Sequence, residues 1–157
     1  MKKLLFLMML LLLTPALALA ANSSCTITES WVDGISGGVL KIEYDWVADD
    51  ADGSVPSCVT TGPLNGYVIK VVVNPGAGPP TATYDATLAD ADVADVMGGE
   101  LTDLGSTVST AHMPLVGTDA YQPVYIDSAL TFAVTGNTQN SAVGSITAYV
   151  QKPGRAY

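Results

Sequence analysis

Hydrophobic and polar residues alternate along several short stretches of this chain, and the clearest of them is residues 39–47. A period of two is typical of a β-strand that buries one face and exposes the other. The stretch therefore predicts a half-buried strand. Its buried face would carry Leu40, Ile42, Tyr44 and Trp46, and its wet face Lys41, Glu43 and Asp45.

Five further stretches alternate in the same way and predict strands at residues 25–31, 66–74, 84–89, 130–135 and 144–151. The last two flank the turn-rich sequence GNTQNS, so we expect them to form a hairpin. Tyr84, Ala86 and Leu88 would share one face of a half-buried strand. The other residues expected to face the core are Tyr67, Ile69, Val71, Val73, Leu130, Phe132, Ile146, Ala148 and Val150.

Glycine, proline and aspartate clusters separate these stretches. A short strand is predicted at residues 93–97, residues 107–110 and 124–126 are candidates for a further one, and residues 114–122 are predicted to be a loop. No helical period of useful length occurs after residue 20. The pattern predicts an all-β chain folded as a single antiparallel β-sandwich of about seven or eight strands.

Residues 1–20 have the features of an export signal. A basic start and a ten-residue apolar run over residues 4–13 precede the small residues of a cleavage site. We expect cleavage between Ala20 and Ala21, which leaves residues 21–157 as one domain. A transmembrane anchor is the alternative, but the apolar run is shorter than the about 20 residues that span a bilayer. The protein is therefore predicted to be exported, to the periplasm or outside the cell.

The chain is strongly acidic, with 15 Asp and Glu residues against six Lys and Arg residues. Loss of residues 1–20 would remove two basic residues and change the formal charge from −9 to −11. Such a charge repels phosphates, so nucleic acid and anionic membrane surfaces are disfavoured as partners. Solubility outside the cytoplasm explains the acidity without any partner.

The two cysteines, Cys25 and Cys58, predict a disulfide, because exported proteins meet an oxidising compartment. A metal site that uses both thiolates is the alternative. It is the weaker interpretation because His112 is the only histidine and the chain has no CxxC motif.

An acidic corner at residues 84–99, YDATLADADVADVMGG, is the clearest candidate for metal chemistry. Asp90, Asp92 and Asp95 carry the hard oxygen ligands that calcium prefers, and so does the sequence DDAD at residues 49–52. Neither stretch has the glycine and glutamate spacing of an EF-hand. A solvated acidic turn is the favoured interpretation, because aspartate stabilises turns by bonding its own backbone. We therefore predict no metal and no cofactor.

Catalytic motifs are missing from the sequence. The sequence contains no GxSxG nucleophile elbow, so His112 has no serine nucleophile of that kind to activate. Cys25 and Cys58 are better explained by a disulfide than by a free catalytic thiolate. Paired carboxylates are plentiful, but Trp31 and Trp46 are the only tryptophans available to line a sugar-cleaving cleft. The chain is therefore predicted not to be an enzyme.

The acidic corner, taken together with the C-terminal sequence LTFAVTGNTQNSAVGSITAYV, resembles small β-rich proteins encoded in structural gene clusters of tailed phages and prophages. The resemblance covers roughly the C-terminal half of residues 21–157. It implies a structural, virion-associated role. The matching residues are Tyr84, Asp85, Leu88, Asp90, Asp92, Asp95, Gly98, Gly99, Leu130, Thr131, Val134, Asn137, Gly144, Ile146 and Tyr149.

Two functions follow as expectations. The first is an exported, non-enzymatic structural module that assembles with itself or with a protein partner, of the phage-like type that the resemblance implies. The second is a secreted module that binds glycans or cell surfaces, with or without help from calcium.

Overall fold

A computed structural model describes residues 22–32 and 38–153 of the chain. These residues form strands and turns, and none of them belongs to a helix that could cross a membrane. The prediction of an all-β fold is confirmed. The predicted signal peptide, with its cleavage site at Ala20 and Ala21, lies outside the described residues. The strands are β1 (Ser24–Val32), β2 (Val39–Val47), β3 (Cys58–Val59), β4 (Gly66–Pro75), β5 (Asp85–Ala89), β6 (Thr110–His112), β7 (Leu115–Val116), β8 (Ala120–Tyr121), β9 (Val124–Ile126), β10 (Thr131–Thr135) and β11 (Val143–Gln151).

The larger sheet has six strands. β1, β2, β11 and β4 follow one another, and β6 and β9 share the far side of β4. A second sheet has the order β3–β10–β5, and β7 pairs with β8 in a two-stranded ladder. All of these pairs are antiparallel, as predicted. The described residues contain eleven strands, more than the predicted seven or eight, because two-residue strands such as β3, β7 and β8 are too short to show a period.

The inner faces of the two larger sheets meet in one hydrophobic core. The ring of Tyr44 on β2 lies 5.1 Å from that of Phe132 on β10. The indole of Trp46 lies 6.0 Å from the ring of Tyr84, which immediately precedes β5. The predicted core faces of these strands and of β11 are confirmed, since Leu40, Ile42, Tyr44, Trp46, Tyr84, Ala86, Leu88, Leu130, Phe132, Ile146, Ala148 and Val150 are buried.

The predicted core face of β4 is only half correct. Val71 and Val73 are buried as expected, but Tyr67 is exposed, and Val68 is buried in its place. The pairing with β11 explains the change, because Tyr149 lies opposite Lys70 and Val150 lies opposite Val68. Ile69 is therefore an extra residue in a β-bulge, which reverses the alternation along the strand. Ile69 is only partly buried as a result.

The predicted hairpin of residues 130–135 and 144–151 is wrong. β10 pairs with β3 and β5, whereas β11 pairs with β2 and β4 in the other sheet. The connection over residues 136–142 therefore crosses from one sheet to the other. Periodicity specifies which residues are buried but not which strand lies beside them, and both strands bury their apolar face in the same core.

Three local predictions also need correction. Residues 93–97 form turns and bends instead of a strand, although Val96 and Met97 are buried. Residues 114–122 are not a plain loop, because they contain the β7–β8 ladder. The short strand predicted at residues 107–110 lies at Thr110–His112, where it pairs with β4.

Candidate interaction edge

β1 lies at the edge of the six-stranded sheet along its whole length. All nine of its residues pair with β2, from Ser24 opposite Val47 to Val32 opposite Val39. No described strand pairs with its other side. The backbone N–H and C=O groups that point away from β2 are therefore available to another strand.

The remaining sheet edges in the described part of the chain are short or covered. β6 and β9 have three residues each, and β3 has two. The free side of β5 is closed by the chain that follows it. The Val96 N–H donates to the Leu88 carbonyl at 2.7 Å, and the Ala86 N–H donates to the Leu101 carbonyl at 2.8 Å. Among residues 22–32 and 38–153, β1 is thus the only long open edge.

The outer face of β1 carries small side chains with hydroxyl groups. Their position follows from the register, since three of them lie opposite the wet-face residues Asp45, Glu43 and Lys41 of β2 and the fourth lies opposite Val47. Such side chains leave the strand edge unobstructed and uncharged, unlike the lysines and prolines that protect many edge strands. They are Ser24, Thr26, Thr28 and Ser30.

The inner face of β1 changes from partly buried to exposed along the strand. Cys25 and Ile27 pack against the core, whereas Glu29 and Trp31 lie beyond it. Trp31 exposes 60% of its surface. It lines a hollow of about 450 Å³ together with Glu29, Leu40, Leu64 and Lys152. A large apolar side chain is therefore presented to solvent at one end of the open edge.

A disulfide joins β1 to the second sheet. Cys25 on β1 and Cys58 on β3 have Cα atoms 5.9 Å apart, within the range that disulfides adopt. The predicted pairing is confirmed. It fixes the open strand at its N-terminal half, and it is consistent with an oxidising compartment.

The outer face of the six-stranded sheet carries a pair of exposed tyrosines. Tyr67 on β4 and Tyr125 on β9 lie opposite each other, with ring centroids 5.2 Å apart in an edge-to-face arrangement. They expose 42% and 47% of their surfaces. Nearby on this face, the Lys70 ammonium lies 4.3 Å from the centre of the Tyr149 ring, a cation–π contact.

The other end of the same face is polar. Thr26, Asp45, Ser145 and Asn74 lie side by side across four strands and line a shallow groove of about 300 Å³. Partial burial raises the pKa of Asp45 above its usual value, and the neighbouring carboxylate of Glu43 raises it further. The face as a whole therefore combines hydroxyl, amide and carboxylate groups with exposed aromatic rings.

The acidic corner is held by its own carboxylates. The Asp90 side chain accepts hydrogen bonds from the N–H groups of Asp92 at 3.1 Å and Val93 at 2.7 Å. The Asp95 side chain accepts one from the Met97 N–H at 3.0 Å. These contacts are the aspartate turns that the sequence favoured. The absence of calcium at Asp90, Asp92 and Asp95 stays a prediction.

The second acidic stretch is built in the same way. The carboxylate of Asp49 accepts from the Ala51 N–H at 2.7 Å, and that of Asp52 accepts from the Ser54 N–H at 2.9 Å. The bonds to Ser54 lower the pKa of Asp52. Across the described residues, no three His, Cys, Asp or Glu side chains come together in a way that could hold a metal ion.

His112 lies on β6 with its Nε2 atom 2.8 Å from the Thr110 hydroxyl. It borders a hollow of about 280 Å³ whose other lining residues are Glu100, Ala111, Met113 and Tyr121. None of these is a serine or cysteine nucleophile. That the chain is not an enzyme stays a prediction.

Comparison of the chain with protein-family models, with curated proteins and with solved structures finds no match. The features of the molecule that bear on function are therefore the open edge of β1 and the outer face of the sheet.

The sequence pattern located β1 but did not identify it as an edge strand. The feature that could have identified β1 as an open edge was its composition. It is a nine-residue strand with one charged residue, and serine and threonine occupy its exposed face.

Proposed function

We propose that this chain is an exported, non-enzymatic β-sandwich module whose role is structural. It assembles with copies of itself or with a protein partner through the open edge of β1. The single observation that carries the proposal is the contrast between β1 and the other edges. β1 is open over nine residues, whereas the other edges in the described part of the chain are short or closed by backbone hydrogen bonds.

An open edge of this length leaves a row of backbone N–H and C=O groups without partners in the sheet, and assembly would pair them. Unpaired N–H and C=O groups on a regular strand are a template for another strand, and proteins that stay separate usually block them. Addition of a strand supplies main-chain hydrogen bonds along the whole edge, which is a recurring mode of protein recognition. Thr26, Thr28 and Ser30 place no charge or bulk in its way.

The resemblance to proteins of tailed-phage structural gene clusters supports a role in a virion or a related particle. The strong negative charge supports a protein partner over nucleic acid. The disulfide supports a location in an oxidising compartment, which the predicted signal peptide would reach. The proposal needs no cofactor and no membrane contact after signal removal.

The experiment compares particle-bound and free protein in fractions from the native source, separated by sedimentation. The test variant is Thr28→Lys, which places a charge on the open edge. The matched control is Thr135→Lys, which adds the same charge at an exposed position at the end of β10. We expect the wild type and the control in a fraction heavier than the single chain, here called the high-mass fraction, and Thr28→Lys among the free proteins. Equal distribution of all three proteins would refute assembly through β1.

A glycan-binding module is the second candidate, and the exposed Tyr67–Tyr125 pair favours it. Aromatic rings next to hydroxyl and amide groups are the usual lining of a site for a neutral ligand. Binding to a panel of immobilised glycans tests this candidate with Tyr67→Ala, and Tyr121→Ala is the control, because Tyr121 is exposed on the separate β7–β8 ladder. Loss of binding only in Tyr67→Ala would support it, and a chelator arm would report any part played by calcium.

A further inference from the structure

We infer that the strand that completes the open edge is β1 of a second copy of this chain, paired antiparallel about a twofold axis that passes midway between the two copies of Thr28. This inference rests on the proposed function, because it names the partner of the same edge. The resulting dimer would have one continuous sheet that contains both six-stranded sheets.

Symmetry limits how two copies of β1 can pair. A twofold axis perpendicular to the sheet relates the two strands in the antiparallel direction and makes the contact self-complementary. Residues that lie opposite each other in an antiparallel pair point to the same face of the sheet. The axis must therefore pass midway between the two copies of one residue of β1, so that this residue lies opposite its own equivalent.

The axis at Thr28 is the only position that pairs all nine residues of β1, because Thr28 is the middle residue of Ser24–Val32. Each neighbouring register that keeps the faces in place would leave two residues of each strand unpaired. One of these registers centres on Glu29 and sets two carboxylates directly opposite each other. Like charges in opposed positions destabilise a strand pair.

The side chains fit the register at Thr28. On the outer face, Thr26 would lie opposite Ser30 of the second copy, and Thr28 opposite its equivalent. Hydroxyl side chains in opposed positions form favourable cross-strand pairs. On the inner face, Glu29 would lie opposite Ile27 of the second copy, so the only charged residue of β1 avoids its own equivalent.

The exposed tryptophan gains a partner in the same register. Trp31 would lie opposite Cys25 of the second copy, where that strand is fixed to the second sheet by its disulfide. Both ends of the interface would then cover a Trp31 ring that is 60% exposed in the single chain. The other tryptophan, Trp46, is already buried, so a shift in tryptophan emission on association would report Trp31.

Net charge opposes this contact without preventing it. Two chains of formal charge −11 after signal removal repel each other, although β1 itself carries one charge. Salt screens repulsion between exposed charges over distances beyond about 10 Å. We therefore expect the dimer to become stronger as salt is added from low to moderate concentration, which is the reverse of a contact made by ion pairs.

Disulfide trapping of single-cysteine substitutions tests the register. Opposed residues of an antiparallel pair have Cα atoms about 4.5–5.5 Å apart, a distance that a disulfide can bridge. Two Thr28→Cys chains should therefore cross-link under mild oxidation. Two Thr26→Cys chains should not, because their substituted positions would be about 13 Å apart along the strands. A mixture of Thr26→Cys and Ser30→Cys chains should cross-link again.

Peptide mapping of the cross-linked dimer confirms that the new bond joins the substituted positions and leaves Cys25–Cys58 intact. Sedimentation velocity of the wild type should show a dimer that Thr28→Lys weakens about tenfold and Thr135→Lys leaves unchanged. Cross-linking of Thr26→Cys alone, or a wild type that stays monomeric at all accessible concentrations, would overturn the inference.

The outcome for the dimer and the outcome for the proposed function can be told apart. Suppose that no cross-link forms, but Thr28→Lys is lost from the high-mass fraction and is found among the free proteins. The edge then accepts a strand of another protein. In that case the inference of a second copy is wrong and assembly through β1 stands. If Thr28→Lys stays in the high-mass fraction, assembly through β1 is wrong as well.

Discussion

The indole ring of Trp46 lies directly against the backbone of Gly144, its register partner on β11. A β-carbon added at Gly144 would come within 2.6 Å of the ring, closer than van der Waals contact allows. The two residues belong to adjacent central strands of the six-stranded sheet, so the absence of a side chain at Gly144 leaves room for the largest side chain of the core.

We predict that Gly144→Ala destabilises the fold by about 1–3 kcal/mol, because Trp46 would have to leave its position in a close-packed core. Gly105→Ala is the control, since a β-carbon at Gly105 meets no atom within 4 Å and its backbone is not left-handed. Urea unfolding of both variants checks this. A Gly144→Ala variant as stable as the control would show that the ring can shift at no cost.

A second prediction concerns Asn137, which holds three loops together at one end of the molecule. Its side-chain amide donates to the Gly53 carbonyl at 2.7 Å, and its carbonyl accepts from the Thr81 N–H at 3.0 Å. Asn137→Ala would leave these partly buried backbone groups without partners, at a cost of about 2–4 kcal/mol. Asn140→Ala, which loses one exposed bond of 3.4 Å to Ala51, should cost less than about 0.5 kcal/mol.

Thermal unfolding of the two asparagine variants should therefore separate them clearly. Equal melting temperatures would contradict a bridging role for Asn137. Asn137 lies in the connection over residues 136–142 that crosses between the sheets, and sequence periodicity gave no sign of its contacts. The residues of β10 and β11 alternate correctly, yet the hairpin prediction failed because alternation does not show which strand lies beside which.

A third prediction follows from two buried phenols. Burial raises the pKa of Tyr84 to about 12, and it also raises that of Tyr44. Between pH 10 and 12 the unfolded chain loses these protons while the folded chain keeps them. Stability is therefore fully present below pH 10 and falls above it, by about 1.4 kcal/mol per pH unit for each tyrosine.

Unfolding by urea at a series of pH values from 9 to 12 measures this slope. Tyr84→Phe should reduce it by about half, because one of the two groups no longer ionises. The same slope in Tyr84→Phe and in the wild type would mean that Tyr84 does not contribute. Tyr44 has a further peculiarity, since its hydroxyl is buried and has no hydrogen-bond partner among the described residues.

A fourth prediction concerns calcium at the acidic corner. The carboxylates of Asp90 and Asp95 already accept backbone N–H groups, so the turns at this corner are held together without a metal ion. We expect the melting temperature to be nearly the same in millimolar calcium and in chelator. Asp92→Asn should have little effect on stability. A rise of several degrees with calcium that Asp92→Asn abolishes would favour calcium-assisted glycan binding over assembly.

The parts of this fold that could be predicted from sequence are those with unbroken alternation. Every predicted core position of β2 was correct because the strand is regular and central. In β4 the extra residue Ile69 moved Tyr67 to the outside, and no residue type signals a bulge at that point. Tyr67 therefore lies on the outer face of the sheet, where it belongs to the candidate glycan site, although the alternation predicted that it would be a core residue.

The open edge of β1 also could not be predicted from alternation alone. The alternation of residues 25–31 predicts a strand correctly, but whether a strand has one neighbour or two depends on the topology of the whole sheet. The Cys25–Cys58 bond could be predicted because the chain has only two cysteines. The residues that cover β5, such as Leu101, could not, since they form turns with no period.

Amide hydrogen exchange of residues 24–32 tests assembly through β1 most directly. Amides that point away from β2 are open in the single chain and exchange fast, whereas a partner strand would protect them. We predict that exchange in this segment slows at least about tenfold from the dilute chain to the assembled protein, while β5, whose edge is already covered, does not change. Equal exchange of residues 24–32 in both states, with new protection elsewhere, would contradict assembly through β1.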